Sequence, residues 1–201
     1  ERALSIFIKA PSLDVLKVET IEKAVAHIIK KEGRLDVLIN NAGMGITGPI
    51  EDTPTNAIRA VFNTNLFGAI DVMKAVLPQM RKQKYGMILN VTSIAGYMGL
   101  PFRGFYSAAK GALEIVTEAA SMEVKNFGIK VINVAPGDFA TNIAAGRYHT
   151  PVFEKSAYKQ KYQANLDLMD SHVEGGMDPL EMAKTVYKII NTKNPKIHYK
   201  V

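Results

Sequence analysis

Val37-Leu38-Ile39-Asn40-Asn41-Ala42-Gly43 is the stretch that decides the fold. Three apolar residues run together with no polar residue between them, and a small, polar, glycine-ended stop follows. A run of this kind suits a strand buried on both faces of a parallel sheet, because a half-solvated strand would alternate. The flanking segments fit that reading. Upstream, Ile21, Val25, Ile28 and Ile29 recur at i, i+4, i+7 and i+8, so residues 20–31 read as an amphipathic helix ended by Gly33. Downstream, Thr53-Pro54 starts a helix, with Thr as N-cap and Pro in the first turn. Helical patterning continues to about residue 84 as one bent helix.

Residues 87–92 form the next apolar run, and a glycine-rich loop leads into a helix over 105–126. Gly128 ends it, and 129–134 is a further strand closed by Pro136-Gly137. Residues 142–176 are polar, with weak periodicity. Asp178-Pro179-Leu180-Glu181 is a capping box that opens a helix to about residue 191, and 198–201 reads as a last strand. This alternation implies an α/β fold in three layers, a doubly wound parallel sheet within one domain of residues 1–201. Ligands of such sheets bind beyond the C-terminal strand ends. Asn41–Gly43, Ser93 and the segment 136–141 all fall there.

Composition narrows the function. The 201 residues are 47% hydrophobic and 22% charged, which excludes a disordered or collagen-like chain. With no cysteine there is no disulfide, thiolate nucleophile or thiolate metal site, and a reducing, cytoplasmic setting is expected. No apolar run reaches the ~18 residues of a membrane helix; the longest uncharged stretch, 86–102, is broken by polar residues, glycine and proline. The four histidines show no metal-ligand spacing, so no metal is expected. The net charge of +6 is local: five lysines (184, 188, 193, 196 and 200) follow the last acidic residue, Glu181. Without them 20 basic residues face 19 acidic ones, a net of +1. A lysine-bearing helix face and strand therefore explain the bias, and neither nucleic acid nor membrane is expected as a partner.

Tyr106 and Lys110 are i and i+4 on one helix and share a face. A phenol near pKa 10 is a poor base at neutral pH, and a neighbouring cation favours its ionised form. The pair can exchange a proton with a carbonyl/alcohol couple. Alone it is weak: 8 Tyr and 19 Lys would give about 0.8 such spacings by chance. Ser93, thirteen positions before Tyr106 and just past a strand, can hydrogen-bond the same substrate oxygen.

Asn40-Asn41-Ala42-Gly43, Asn65-Leu66-Phe67-Gly68, Ser93 with Tyr106-Ser107-Ala108-Ala109-Lys110, and Pro136-Gly137 with Thr141 follow one another in order. This succession resembles the short-chain dehydrogenase/reductase family, from about Leu13 to the end of the chain. The resemblance implies an NAD(P)-dependent oxidoreductase of Rossmann type that transfers hydride between a nicotinamide cofactor and a carbonyl or secondary alcohol. It implies that Tyr106 is the general acid/base, Ser93 polarises the substrate oxygen, and Lys110 lowers the tyrosine pKa and holds the nicotinamide ribose. Asn65, at a helix irregularity, would position a water that links Lys110 to solvent. Asp14 and Val15 would meet the adenine, Asn41, Ala42 and Gly43 the adenosine half, and Pro136, Gly137, Phe139 and Thr141 the nicotinamide. Phe139 stands where the family often has a branched aliphatic residue. Residues 142–176 would cover the substrate, with Arg147, Tyr148, His149 and Tyr158 as possible contacts and Gly146, Gly175 and Gly176 as hinges. The helix over 105–126 would pair between subunits in a homodimer or homotetramer. Pro195-Lys196-Ile197-His198-Tyr199-Lys200-Val201 is similar to the end of the hydroxysteroid dehydrogenase-like branch.

One departure stands out. The family's first strand, Thr-Gly-x-x-x-Gly-x-Gly turn and helix are not in the sequence, and twelve residues before Leu13 are too few for a βαβ unit of about 30. We expect residues of the natural protein to be absent before Glu1 and again near Ile6/Phe7, so that part of the first βαβ unit is lacking. The selector between NAD and NADP would lie in that part. Two other readings stay open: a non-catalytic NAD(P)-binding regulator with the same fold, and a basic binding module.

Overall fold

The computed structural model describes residues 12–140, 146–152 and 154–201. The elements are α1 (Val18–Glu32), β1 (Val37–Asn40), β2 (Ile46–Thr47), α2 (Thr55–Phe62), a π-helical turn (Asn63–Gly68), α3 (Ala69–Gln83), β3 (Gly86–Val91) and a 3-10 turn (Ile94–Tyr97). Then come α4 (Gly104–Val124), β4 (Ile129–Ala135), β5 (Tyr148–His149), α5 (Lys159–Glu174), α6 (Pro179–Ile190) and β6 (His198–Lys200). Four strands form one parallel sheet in the order β1-β3-β4-β6.

Strand periodicity assigns the two faces. Ile88 and Val131 point to one side, where they pack with Ile21 and Val25 of α1, Val72, Val76 and Met80 of α3, and Val124 of α4. Their neighbours Met87, Leu89, Ile132 and Val134 point to the other, against Ile189 of α6. Helices therefore cover both faces, as the doubly wound reading expected. Burying each such side chain contributes about 1.5–3 kcal/mol, which fixes the layers more firmly than helix propensity does.

Side chains at the C-terminal end of the α3/α4 side are polar and fully paired. Asn40 Nδ2 donates to Asn90 Oδ1 at 2.9 Å and to the Ala69 carbonyl at 3.1 Å. Asn90 Nδ2 donates in turn to Thr117 Oγ1 at 2.8 Å. This ladder ties β1, β3 and α4 together across the sheet.

Several local expectations need correction. β1 is not buried on both faces: among the described residues it pairs with β3 alone, and Ile39 is 42% exposed. Pro54, not Thr53, stands at the N-cap of α2, because the Thr53 hydroxyl donates to the Pro49 carbonyl instead. The segment 142–176 holds a full helix, α5, and β5, which pairs with β2 in a separate two-stranded sheet. Gly176 is no free hinge: a Cβ there would stand 2.8 Å from both the Ala140 nitrogen and the Phe139 carbonyl carbon, so it serves close approach. The continuous helix over Thr55–Gln83 is long and apolar enough to cross a membrane by length and composition, a test the uninterrupted-run criterion missed. Its buried stripe, including Val61, Val72, Val76 and Met80, packs on the protein's own core.

The helix irregularity expected at Asn65 is the π turn, whose extra residue per turn carries Asn65 inward to 1% exposure. A second contact fixes the distance between two functional loops. The 3-10 turn after Ser93 and helix α4 meet backbone to backbone at Gly96 and Gly111. A Cβ on Gly111 would lie 2.8 Å from the Gly96 carbonyl oxygen.

Candidate active site

A cleft of about 500 Å³ opens at the C-terminal ends of β1, β3 and β4. Asn41, Gly43, Ser93, Tyr106, Lys110, Pro136, Gly137 and Phe139 line it, all of them picked out by the sequence. Asn65 lies just behind the wall. Its Oδ1 accepts from the Met44 N–H and its Nδ2 donates to the Met44 carbonyl, both at 2.8 Å. The amide thus clamps the loop after β1 in both directions. Ala42, Asp14 and Val15 do not border the cleft. Asp14 caps its own turn, accepting from the Leu16 N–H, and Val15 packs against Gly68 of the π turn. Thr141 lies outside the described residues, as do Ile6 and Phe7.

Tyr106 and Ser93 face each other. Burial raises the Tyr106 pKa above its ordinary value; a hydrogen bond with Ser93 and the cations Arg103 and Arg147 oppose that rise, and Asp138 adds to it. The Arg103 guanidinium stands 5.8 Å from the Tyr106 ring centroid. Lys110 lines the same cleft as Tyr106. Its Nζ donates to the Val91 carbonyl at 2.8 Å.

Burial lowers the Lys110 pKa from 10.5 to about 8. The unfolded chain then binds more protons between about pH 8 and 10.5, so this group's contribution to stability rises with pH across that window. Below it the amine is charged in both states and carries a constant cost of about 3 kcal/mol. Thermal melts of wild type and Lys110→Met at stepped pH should therefore show the difference shifting in favour of wild type from pH 8 to 10.5. A difference independent of pH would contradict the buried placement.

The sequence reading overlooked Met44, Thr47, Arg103, Asp138 and Met182, which also border the cleft. Asp138 sits inside the run 136–141 and could have been included with it; Arg103 and Met182 carry no local signal. Of the four side chains suggested from the covering segment, Arg147 lines the cleft. Tyr148 packs in a core cluster, His149 lies 3.3 Å from Thr47, and Tyr158 donates to Glu51 at 2.7 Å. Away from the cleft, His198 sits between Glu114 at 3.5 Å and Glu118 at 2.9 Å. These three ligand-type side chains come from α4 and β6, so histidine spacing could not reveal them.

The cleft also fits one half of a dinucleotide. A Cβ at Gly43 would stand 3.4 Å from Asn65 Oδ1 and 3.5 Å from Lys110 Nζ, so glycine keeps a narrow approach open beside a buried cationic donor. A tyrosine, a serine and a lysine thus gather at the C-terminal edge of a parallel sheet, the place where α/β folds of this kind bind their ligands.

Comparison with known proteins narrows what the site can be. A family profile described as short chain dehydrogenase matches residues 2–151. The 3-ketodihydrosphingosine reductase of Bacteroides thetaiotaomicron is 40% identical over 190 residues, covering 94% of this chain and 71% of that protein. A short-chain dehydrogenase structure from Streptomyces avermitilis superposes with a TM-score of 0.83 at 32% identity, over 94% of this chain and 69% of the other. The structure of ElxO with NADP bound gives 0.75 at 30% identity, over 94% and 74%. The chain belongs to the short-chain dehydrogenase/reductase family. It is an NAD(P)-dependent oxidoreductase acting on CH–OH groups.

Proposed function

We propose that this enzyme reduces a ketone to a secondary alcohol, with Tyr106 giving the proton and Ser93 holding the substrate oxygen. The observation that carries the reading is the buried Tyr106 hydroxyl paired with Ser93 in the cleft. At neutral pH that phenol is protonated, and it can donate to a carbonyl oxygen on which negative charge develops. The bound reduced nicotinamide supplies the hydride. Ser93 donates to the same oxygen, and Arg103 and Arg147 favour the phenolate left after proton transfer. Lys110, held in place by the Val91 carbonyl, has further N–H donors to offer the nicotinamide ribose. Asn65 and Lys110 both lie beside Gly43, which supports assigning them together to a proton path from solvent. Asn41, Ala42 and Gly43 remain assigned to the adenosine half, Asp14 and Val15 to the adenine, and Pro136, Gly137, Phe139 and Thr141 to the nicotinamide.

The 3-keto group in the name of the Bacteroides relative supports a ketone as the substrate class. Purified protein should consume NADPH or NADH in step with ketone and form one alcohol per cofactor oxidised. Tight cofactor binding without turnover across a broad ketone panel would favour the regulatory reading instead.

Self-association through α4 belongs to the same proposal. Ile115 and Met122 on α4 are 68% and 70% exposed, and Phe67 of the neighbouring π turn is 52% exposed. Apolar side chains so exposed on adjacent elements suit a subunit contact. Sedimentation should register a dimer or tetramer, and Ile115→Glu should shift it to monomer; an unshifted mass would refute this contact.

A further inference from the structure

Beside Ser93 the cleft opens into a second cavity of about 280 Å³. Ser93, Arg103 and Asp138 border both spaces, so a molecule reacting at Ser93 can extend its body into the second. None of the residues assigned above to the cofactor borders the second space among the described residues, which leaves it to the substrate. Ile94, Met98, Leu100, Leu168 and Met169 give it a mainly apolar wall. The two charged side chains at its rim differ in setting. Asp138 is exposed and keeps its charge in water. Arg103 is half-buried over the Tyr106 ring, and among the described residues no carboxylate pairs with it.

The backbone holds Arg103 there against a local preference. Leu100-Pro101-Phe102-Arg103 is a turn closed by the Arg103 N–H on the Leu100 carbonyl at 3.1 Å. Phe102 takes its third place at φ 58°, in the left-handed region that turns ordinarily give to glycine or asparagine. A bulky residue keeps such a conformation only where its surroundings enforce it. Here the Phe102 carbonyl accepts the Gly48 N–H at 2.9 Å, and its ring centroid lies 5.4 Å from that of Tyr162. The chain leaves this turn at the N-cap of α4, with Arg103 three residues ahead of Tyr106 and over its ring. A guanidinium against an apolar wall is unfavourable unless an anion joins it, and its planar fork matches a carboxylate through two parallel hydrogen bonds.

We propose that the rim between the two cavities is a carboxylate-binding subsite, that Arg103 is its specificity-determining residue, and that the preferred substrates are keto acids with an apolar tail. This rests on the assignment of Ser93 and Tyr106 as the reacting pair. The guanidinium carbon stands 5.8 Å from the Tyr106 ring centroid. At about 1.5 Å per bond, a carboxylate on it can reach a carbonyl held at the Tyr106 hydroxyl through a spacer of about two carbons. The tail then follows the apolar wall of the second cavity. Arg147 borders the main cleft and not that cavity, so Arg103 is the cation common to both.

The test uses the wild-type protein with its preferred nicotinamide cofactor and two ketones of one carbon skeleton, 4-oxooctanoate and its methyl ester. Both are reduced at the same carbonyl, and only the acid is charged at neutral pH. The acid should exceed the ester in kcat/KM by about 10–100-fold, mainly through KM, because the ester forfeits a charge-assisted pair. Arg103→Met should bring that ratio to about one. An action of Arg103 through Tyr106 alone would slow both ketones alike, so an unchanged ratio in the variant would overturn the subsite. Arg103→Gln, polar and of similar length, reads the same ratio if the methionine variant fails to fold. Equal kcat/KM for acid and ester in wild type, or turnover of neither beside turnover of other ketones, would also overturn the subsite. Turnover of no ketone at all would overturn the reductase reading beneath it.

Discussion

Tyr106→Phe is expected to lower kcat by a factor of about 10³ or more while changing the dissociation constant for NADPH or NADH by less than about threefold. General acid catalysis by a positioned side chain contributes about 10²–10⁴ to rate, and among the described residues no other phenol lines the cleft. Tenfold in rate is about 1.4 kcal/mol, so the hydroxyl is assigned about 4 kcal/mol of transition-state stabilisation. The lost atom is small and the ring stays. Its partner Ser93 keeps the Ala95 N–H bond at 3.2 Å, so the fold should lose no more than about 1 kcal/mol. The separation of the two effects is the diagnostic. Stopped turnover with intact cofactor binding and melting temperature is a chemical loss. Comparable turnover in the variant would remove Tyr106 from the mechanism.

Gly111→Val is expected to cut kcat/KM by about 100-fold although residue 111 bears no functional group. Helix α4 carries Tyr106 and Lys110, and the 3-10 turn begins at Ser93. The two elements touch through Gly96 and Gly111, where even a single added carbon would stand 2.8 Å from a carbonyl oxygen. Backbone cannot rotate out of the way as a side chain can. The turn must move off the helix, and Ser93 moves with it away from Tyr106. A displacement of about 1 Å between reacting groups costs about 10² in rate. Gly111→Ala should fall between wild type and valine. The expected signature is a larger loss with a reactive ketone than in cofactor affinity, and a circular dichroism spectrum like that of wild type. A valine variant with normal kcat/KM would show that this contact does not set the spacing.

What was legible in the sequence follows from how local each signal is. Periodicity placed α1, β3, β4 and α6, because a side chain's burial there repeats with the element's own geometry. Ser93, Tyr106 and Lys110 were legible because their spacing along one strand end and one helix face is also local. The bond from the Lys110 amine to the Val91 carbonyl was not, because it depends on where β3 ends relative to α4. Helix α5 was hidden because its inward stripe carries Asn165 and Tyr162 in place of aliphatic residues. The edge position of β1 depends on what pairs beside it, which its own apolar run does not encode. The hydroxysteroid-like ending rested on seven residues, three of which, His198–Lys200, form β6 beside β4, a role that places no demand on substrate.

The Asn40–Asn90–Thr117 ladder has a bearing on how the chain finds its alignment. A one-residue slip between neighbouring strands turns every side chain to the opposite face. Apolar residues tolerate that poorly only when one face is wet; here both faces of β3 are buried under helices, so grease alone would distinguish the two alignments weakly. Asparagine does distinguish them. Slipped by one, Asn90 would enter the aliphatic layer beneath α6 and lose both amide partners, a penalty of about 1–3 kcal/mol for each polar group left bare. Asn40 does the same for an edge strand whose own side chains are only half covered. Polar residues at these two points thus act as an alignment key, rejecting the neighbouring wrong pairing of strands whose correct ends carry the catalytic loops.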